Sequence, residues 1–361
     1  MNRIYNFSAG PGILPVSVLE DAARGLMEIN NSGMSILEVS HRGKDYEEIH
    51  NDAMIRLLRV LELSEDEYQV LFLGGGASLQ FAMVPMNFLR PGHTADYVDT
   101  GEWGAKAIKE AMRFGTINVA GSSKDARYSY IPRTLSLTPE AQYVHITTNN
   151  TIEGTEWQEL PDTNGVPLIA DASSDIMARA LDYSRFDLIY AGAQKNAGPA
   201  GVTMVIARKS FLARANDDIA AILAYSTHAK ANSLYNTPPV FPIYVLDLVL
   251  QWVEDQGGVA HIEKRNRHKA ALVYSALDAY PGFYEPAARY KVDRSLMNVT
   301  FRIQNAELDR AFLSGAKERR MDGLPGHRSV GGFRASIYNA FPTEGCQALA
   351  DYLHEFANSH G

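Results

Sequence analysis

Two residues that could do covalent chemistry each follow a short apolar run. Asp171 ends the run LIAD, and Lys195 lies after the next run in the glycine-rich segment AGAQKNAGPAG. Two adjacent parallel strands would bring both side chains to one edge of a sheet. A lysine partly removed from water has a lowered pKa and can form a Schiff base, and a nearby aspartate can keep a pyridine nitrogen protonated. For Asp171 alone, a helix cap is an equally good interpretation.

Three glycines, residues 74–76, precede Ala77 and Ser78 between an apparent strand and an apparent helix. Glycines let backbone amides approach an anion, and a helix N-terminus adds favourable partial charge, so this segment can hold a phosphate. A tight strand-to-helix turn explains the glycines equally well. No Lys-Ser or Lys-Thr pair follows them, and Leu79 breaks the dinucleotide-binding glycine pattern, which disfavours both kinds of nucleotide loop.

Trp103 and residues 149–151 also follow predicted strands. An indole can stack on a flat heteroaromatic ring, although ordinary packing is the commoner role of a tryptophan. Asn149, Asn150 and Thr151 can form hydrogen bonds to a ring substituent, or they can simply form a turn.

Two basic pairs, His41-Arg42 and His327-Arg328, lie beside glycines, and Arg334 follows the second pair. Guanidinium groups bind carboxylates and phosphates through two parallel hydrogen bonds. One such pair is usually solvated surface, but two pairs in different predicted domains indicate a cleft for an anionic substrate. The histidines have no metal-ligand spacing, so no metal site is expected.

The elements that must position these residues alternate along the first two thirds of the chain. Apolar runs predict strands at residues 69–73, 94–98, 143–147, 168–171, 188–191 and 203–207. Amphipathic patterns predict helices at residues 16–31, 45–63, 78–87 and 104–114. This alternation is typical of an α/β fold with a mostly parallel sheet covered on both faces. Ligands bind beyond the carboxyl ends of such strands, which is where the polar residues cluster.

The last third of the chain has a different pattern. Residues 245–279 are predicted to be helical with a break at Gly257-Gly258, followed by strands at 298–303 and 328–337 and helices at 306–317 and 343–358. We therefore expect a large domain at residues 16–256 and a small domain formed by residues 1–15 and 257–361.

The composition restricts the class of protein. The 361 residues are 46% hydrophobic and carry a net charge of -8, so a large core is expected and a broad basic surface for nucleic acid is not. The most apolar stretch of the second half, residues 240–253, is interrupted by polar residues and is too short to span a bilayer. The single cysteine, Cys346, is interpreted as a packing residue, and the first 15 residues contain no apolar secretion core, so we expect a cytoplasmic protein.

Taken together, these motifs resemble the phosphoserine aminotransferases, a family within the class V, fold-type I pyridoxal-phosphate-dependent aminotransferases. The resemblance covers essentially the whole chain, in the segments NFSAGPG, SHRGKDYEEIH, FLGGGASLQF, DTGEWGAKAIKEA, NTIEGTE, ADASSDI, IYAGAQKNAGPAG, SLYNTPP and GGFRASIYNA. It implies a mostly parallel seven-stranded sheet in the large domain and a smaller α/β C-terminal domain. It also implies a homodimer with shared active sites.

The resemblance further implies roles for individual residues around pyridoxal 5'-phosphate. Lys195 forms the Schiff base and carries the proton, Asp171 pairs with the pyridine nitrogen, Trp103 stacks on the ring, and Thr151 bonds the phenolic oxygen. The cofactor phosphate is assigned to Gly76, Ala77 and Gln194, with Asn236 and Thr237 reaching it from the neighbouring subunit. Some family members have arginine where this chain has Ala77.

The substrate roles implied by the resemblance fall on charged or polar residues from three segments. Arg42 is assigned to glutamate. The distal anion is assigned to His41, His327 and Arg328, and the α-carboxylate is assigned to Arg334 with Ser8. The implied reaction is the reversible transfer of an amino group from L-glutamate to 3-phosphohydroxypyruvate, which gives O-phospho-L-serine and 2-oxoglutarate in serine biosynthesis. A second implied substrate is 4-phosphohydroxy-L-threonine of pyridoxine biosynthesis.

Other functions remain open at this point. An alanine or serine:glyoxylate transaminase of class V would need no His327-Arg328 pair. A cysteine desulfurase is less favoured, because Cys346 has no reactive surroundings in the sequence. A non-catalytic protein that binds a phosphorylated metabolite would not need Lys195.

Overall fold

The computed structural model describes residues 3–361; Met1 and Asn2, the first residues of the predicted small domain, lie outside the described residues. The strands are β1 (Tyr5–Asn6), β2 (Tyr68–Leu73), β3 (Thr94–Asp99), β4 (Thr116–Ser122), β5 (Val144–Thr147), β6 (Asn149–Asn150), β7 (Thr155–Glu156), β8 (Leu168–Asp171), β9 (Leu188–Gly192), β10 (Thr203–Arg208), β11 (Tyr284–Pro286), β12 (Asn298–Ile303), β13 (Met321–Asp322) and β14 (Phe333–Ser336). The α-helices are α1 (Val16–Met27), α2 (Lys44–Val60), α3 (Gly76–Phe88), α4 (Glu102–Ala111), α5 (Lys209–Leu212), α6 (Tyr225–Lys230), α7 (Val240–Asp255), α8 (Gly258–Asp278), α9 (Asp309–Glu318) and α10 (Thr343–His360).

A seven-stranded sheet forms the centre of the larger part of the chain. Its strand order is β2-β10-β9-β8-β5-β3-β4; β10 pairs antiparallel with β2 and β9, and the other pairs are parallel. The residues of β5, β8 and β9 are all buried, as expected for continuous apolar runs in the middle of a parallel sheet. The predicted mostly parallel seven-stranded sheet is confirmed.

Helices cover both faces of this sheet. Leu168 and Ala170 of β8 belong to one buried cluster, which also contains residues of α2 and α7, while Ile169 belongs to a second cluster with residues of α3 and α4. This separation follows from the strand geometry, in which successive side chains point to opposite faces. The two cores hold the carboxyl ends of the strands in fixed positions.

The C-terminal third has a separate core. Strands β11, β12 and β14 form an antiparallel sheet, and residues of α8, α9 and α10 pack with it in one buried cluster. The N-terminal strand β1 pairs with β13 in parallel, which attaches the start of the chain to this part. These contacts support the proposed division into residues 16–256 and a small domain of 257–361 with the N-terminal segment.

The structure corrects one predicted strand. Residues 328–337 were expected to be extended throughout, but β14 begins only at Phe333. Gly331 and Gly332 have φ angles of 73° and 63°, and the amides of Val330 and Gly331 both donate to the carbonyl of His327. The first half of the predicted strand is therefore a glycine-dependent turn that places His327 ahead of the strand.

The predicted strands 168–171 and 298–303 have the predicted bounds, and the other predicted elements are present with shifted ends. The break in the long helical region lies at Gly257, whose φ angle is 88°, as predicted. Within residues 3–361, no helix is long and apolar enough to cross a membrane.

Candidate active site

A cavity of about 530 Å³ lies beyond the carboxyl ends of the central strands. The sequence-predicted residues that line it are Gly76, Trp103, Thr151, Gln194, Lys195, His327 and Arg334. Residues 9–11 of the N-terminal segment form another part of its wall. The large domain, the small domain and the N-terminal segment therefore all contribute to one site.

Lys195 lies in the turn after β9, and its side chain reaches into this cavity. Its Nζ donates a hydrogen bond to Thr151 Oγ1 at 2.9 Å. Burial lowers the pKa of the Lys195 amine; Asp171 opposes this shift and Arg334 adds to it. A lowered pKa increases the fraction of neutral amine, which is the nucleophilic form.

Asp171 lies at the end of β8, next to the strand that leads to Lys195. Its Oδ1 accepts a hydrogen bond from the amide of Ser173 at 2.9 Å, and its side chain is buried. Burial raises the pKa of the Asp171 carboxyl, while the positive charge of Lys195 lowers it in part. The carboxyl thus stabilises the following turn and also interacts electrostatically with the Lys195 amine. A capping role of Asp171 is therefore compatible with a role as a charged partner in the site.

The glycine run forms the turn from β2 into α3. Gly75 and Gly76 have φ angles of 83° and 64°, which favour glycine. A Cβ added to Gly75 would lie 2.6 Å from Leu79, so the turn leaves no space for a larger residue. No side chain among the described residues caps α3, and its first amides are free to bind an anion at the cavity wall.

Trp103 lies in the first turn of α4 and forms a side of the cavity. The Lys195 Nζ is 5.8 Å from the centroid of its ring, and the Lys106 Nζ is 4.5 Å away. The ring also packs against the buried cluster on the α3 and α4 face. Its Nε1 is buried and has no hydrogen-bond partner within residues 3–361. The indole therefore combines a packing role with a half-buried position in the cavity beside the amine.

Thr151 is the member of the NNT segment that enters the cavity. Asn149 and Asn150 are buried and bonded elsewhere: Asn149 Nδ2 donates to Ser174 Oγ at 2.8 Å, and Asn150 Nδ2 donates to Thr155 Oγ1 at 3.0 Å. The two asparagines therefore build the turn, and the threonine supplies the hydroxyl.

Arg334 and His327 form the positive end of the cavity. Arg334 lies on β14, and its buried Nε has no hydrogen-bond partner in the described part of the chain. Burial lowers the pKa of the Arg334 guanidinium. Burial, together with the charges of Arg334 and Arg328, lowers the pKa of His327. A half-buried guanidinium whose Nε lacks a partner is suited to an anionic group of a ligand.

The remaining predicted residues do not line this cavity in the described chain of residues 3–361. They are Ser8, His41, Arg42, Ala77, Asp171, Arg328, Asn236 and Thr237. Ala77 and Asp171 are adjacent to its walls, whereas Arg42, Arg328, Asn236 and Thr237 are exposed. Asn236 and Thr237 would have to be exposed on this chain in order to reach the cofactor phosphate of a neighbouring subunit.

Two parts of the site are not predicted from the sequence. Ala9, Gly10 and Pro11 line the cavity, and the NFSAGPG motif is the sequence feature that could have indicated them. Glu153, which follows Thr151 closely, was not singled out, because its importance depends on a contact with a distant helix. Among residues 3–361, no group of three or more His, Cys, Asp or Glu side chains is placed to hold a metal ion.

These features fit the pyridoxal phosphate that the resemblance implies. A phosphate can bind the free amides at the start of α3, a flat ring can lie against Trp103, and an aldehyde carbon can react with the Lys195 amine. The unpartnered Arg334 remains available for a substrate anion.

Known proteins resemble this chain over its full length. The class-V aminotransferase family model matches residues 4–349. Phosphoserine aminotransferase of Geobacillus kaustophilus is 57% identical over 358 residues, which cover 99% of each chain. The phosphoserine aminotransferase structure from Bacillus circulans subsp. alkalophilus has a TM-score of 0.97 at 48% identity and covers 100% of both chains.

A more distant structure shows the same fold with its cofactor. The PLP-bound phosphoserine aminotransferase from Trichomonas vaginalis has a TM-score of 0.91 at 38% identity and covers 97% of this chain and 99% of that one. The family match, the full-length identities and the arrangement around Lys195 agree: the chain belongs to the class-V aminotransferases.

Proposed function

We propose that the chain is a phosphoserine transaminase that uses pyridoxal 5'-phosphate. It transfers an amino group between L-glutamate and 3-phosphohydroxypyruvate, giving O-phospho-L-serine and 2-oxoglutarate. The observation that carries the proposal is the Lys195 amine, which lies in a cavity between Thr151 and Trp103 with an unpartnered Arg334 in the same wall. The full-length relatives support the substrate assignment.

The bound cofactor supplies an electrophilic carbon and an electron-withdrawing ring that delocalises negative charge from the substrate α-carbon. Gly76 and Ala77 would offer backbone amides to its phosphate, and Gln194, which lines the same cavity as Gly76, would also hold it. Trp103 presents its ring face, and Thr151 places a hydroxyl 2.9 Å from the amine. These residues orient the reacting groups and keep water away from them.

Lys195 moves the proton of the reaction at its Nζ. The amine must be neutral to accept a proton from the substrate α-carbon, and burial favours this form. Asp171 is buried beside it and supplies a negative charge that favours a protonated ring nitrogen. Asp171 ends β8 and Lys195 follows β9, and these two strands pair in parallel. The sheet therefore fixes the distance between the two residues.

Arg334 binds the α-carboxylate in this proposal, because its half-buried side chain lines the cavity and its Nε lacks a partner within residues 3–361. His327, in the same cavity, receives the distal anion, which is a carboxylate in glutamate and a phosphate in the other substrate. Both substrates thus use one site in turn, which predicts ping-pong kinetics. His41 and Arg328 are proposed to complete the distal-anion site, Arg42 to bind glutamate, and Ser8 to lie near the α-carboxylate.

We further propose a homodimer in the cytoplasm. Asn236 and Thr237 are exposed and would reach the cofactor phosphate of the partner subunit. Large apolar side chains are also exposed in this region of the chain and in the N-terminal helical region; they include Leu26, Met27, Leu37, Ile222 and Tyr235. An interface between two copies would cover such side chains. Use of 4-phosphohydroxy-L-threonine stays a prediction.

The decisive experiment is a half-reaction assay with the cofactor-loaded protein, in which phosphoserine, glutamate and alanine are offered separately. Conversion is followed by the loss of the visible absorbance band. Phosphoserine and glutamate are expected to bleach the band rapidly and alanine slowly. Equal rates for alanine and phosphoserine would favour a class V transaminase for small substrates. Absence of a borohydride-trapped adduct at Lys195 would contradict the enzyme assignment itself.

A further inference from the structure

Glu153 joins two walls of the active-site cavity. It lies two residues after Thr151, whose hydroxyl accepts the hydrogen bond from Lys195. Its Oε1 accepts a hydrogen bond at 2.8 Å from the amide of Glu102, the first residue of α4. Trp103 is the next residue of that helix. A single carboxyl group therefore connects the turn that carries the hydroxyl with the helix that carries the indole.

The junction between Glu153 and α4 is tightly packed. A Cβ added to Gly101, which precedes α4, would lie 2.6 Å from Glu153 Oε2 and 2.9 Å from Asn150 Oδ1. Glycine at this position lets the start of the helix approach the carboxyl group closely. No side chain within α4 or at its N-cap caps the described helix, so Glu153 takes over this role from 51 residues further along the chain.

The environment of Glu153 is unusual for a merely structural carboxyl group. The side chain is 5% exposed, and its Oε2 has no hydrogen-bond partner within residues 3–361. Glu153 also borders a second cavity of about 440 Å³, which Glu102, Ser329 and Val330 line as well. Electrostatically, Glu153 raises the pKa of Arg334. It thus interacts with Trp103 through α4 and with the proposed α-carboxylate anchor through its charge.

We propose that Glu153 is a positioning residue that holds the N-terminus of α4 against the Thr151 turn, and thereby fixes the Trp103 ring relative to the Lys195 amine. This inference rests on the proposed function for the identity of the bound ring. It does not require Glu153 to touch the substrate or the cofactor. The energetic reason is that a carboxylate is favourable at a helix N-terminus and satisfies an amide that would otherwise lack a partner.

The test compares Glu153→Ala and Glu153→Gln with the matched control Glu285→Gln. Glutamine keeps an oxygen that can accept from the Glu102 amide, whereas alanine removes the acceptor. Glu285 lines the same second cavity but is exposed, and no hydrogen bond or ion pair of its side chain is found within residues 3–361. The control therefore changes the same functional group near the site without disturbing α4.

The first measurement uses cofactor-free protein labelled with 5-fluorotryptophan. The chain has three tryptophans, so fluorine NMR gives three signals, and a Trp103→Phe variant assigns the one of interest. The Trp103 signal is expected to shift or broaden in Glu153→Ala and to stay close to the wild-type position in Glu153→Gln and Glu285→Gln. An unchanged Trp103 signal in a folded Glu153→Ala protein would overturn the proposal.

The second measurement is the dissociation constant of pyridoxal phosphate, with kcat and KM for phosphoserine. Loss of one hydrogen bond that positions the ring is expected to weaken cofactor binding about tenfold in Glu153→Ala, with rescue by Glu153→Gln. An equal loss in both variants would contradict the positioning role. If alanine prevents folding, Glu153→Asp shortens the reach by one methylene and is expected to weaken binding in the same direction; wild-type affinity in that variant would contradict the proposal.

Different results would contradict the transaminase activity and the role of Glu153. A wild-type protein that does not bind the cofactor or does not convert phosphoserine would overturn the proposed function. A fully active wild-type protein whose Glu153→Ala variant keeps its fluorine spectrum and cofactor affinity would overturn only the role of Glu153.

Discussion

The Lys195 Nζ donates a hydrogen bond at 2.9 Å to the hydroxyl of Thr151, a residue 44 positions earlier in the chain. Thr151 follows β6 and Lys195 follows β9, so this contact exists only when the central sheet is assembled. The hydroxyl holds the amine in the cavity on the side of Trp103. A reactive amine held in one direction loses less freedom when it reacts, which is one source of rate acceleration.

Replacing Lys195 with alanine is expected to reduce transamination by at least about 100-fold, because a positioned general base contributes about 10²–10⁴-fold to a proton transfer. Cofactor binding need not be lost, since the phosphate and ring contacts come from other residues. The measurement is kcat with glutamate and 3-phosphohydroxypyruvate, together with mass spectrometry after borohydride treatment. Lys264→Ala, at an exposed position of α8, is the control and should keep wild-type activity. Comparable activity in the two variants would show that the assigned base is wrong.

Replacing Asp171 with asparagine tests the charge next to the amine. Asparagine keeps an oxygen for the amide of Ser173, which Asp171 Oδ1 binds at 2.9 Å, so the turn should persist. The negative charge that opposes the lowered pKa of Lys195 is lost, and so is the partner of a protonated ring nitrogen. We expect a kcat reduced by about 100-fold or more with an altered absorbance spectrum of the bound cofactor. A variant with wild-type kcat would remove Asp171 from the mechanism.

Subunit mixing tests whether Asn236 and Thr237 serve the partner's site. One variant carries Lys195→Ala, and the other carries Asn236→Ala with Thr237→Ala; each is expected to be weakly active alone. In a heterodimer, one site combines an intact lysine with an intact asparagine and threonine. Refolding equal amounts together should restore about a quarter of the wild-type activity per subunit. No gain on mixing, with dimers demonstrated by sedimentation, would place these residues in their own subunit's site or in none.

The central part of the site could be predicted because its residues follow buried strands. The runs that end at Asp171 and precede Lys195 form β8 and β9, which pair in parallel with Asp171 opposite Tyr190. Strand order and residue type together therefore place an acid and an amine at one edge. Strand β4 was missed because it is an edge strand in which only Ala120 is buried, so it has no apolar run.

Contacts between distant segments could not be predicted in this way. The Glu102 amide and the Glu153 carboxyl meet only because α4 and the Thr151 turn converge in three dimensions. Lys269 on α8 is fully buried, and its Nζ donates to the carbonyls of Ile337 and Tyr338 at 2.9 and 2.6 Å. Neither local spacing nor composition shows that backbone carbonyls from a distant segment lie within hydrogen-bond distance of the Lys269 amine.

The pH dependence of stability provides a separate measurement of the Glu153 environment. Burial raises the pKa of the Glu153 carboxyl from 4.5 to about 7, with the charges of Glu102 and Asp99 acting in the same direction and the helix amide opposing them. Other charged or titratable groups near the carboxyl are Arg334, Tyr128, Lys124, Arg127, Arg302 and Glu285. Glu153→Gln leaves all of these groups in place and removes only the Glu153 carboxyl, so the difference between the two proteins reports on Glu153.

The sign of this difference follows from proton binding. Between pH 4.5 and about 7 the folded wild-type protein holds a proton on Glu153 that the unfolded chain has released, so its stability falls as the pH rises through this range. Glutamine does not titrate. Relative to Glu153→Gln, the wild-type protein is therefore expected to lose about 1–3 kcal/mol of unfolding free energy between pH 5 and pH 8. Urea unfolding of both cofactor-free proteins at the two pH values measures this quantity. A constant difference would mean that the carboxyl group ionises as easily in the folded protein as in water, and that the packing around Gly101 does not exclude solvent from it.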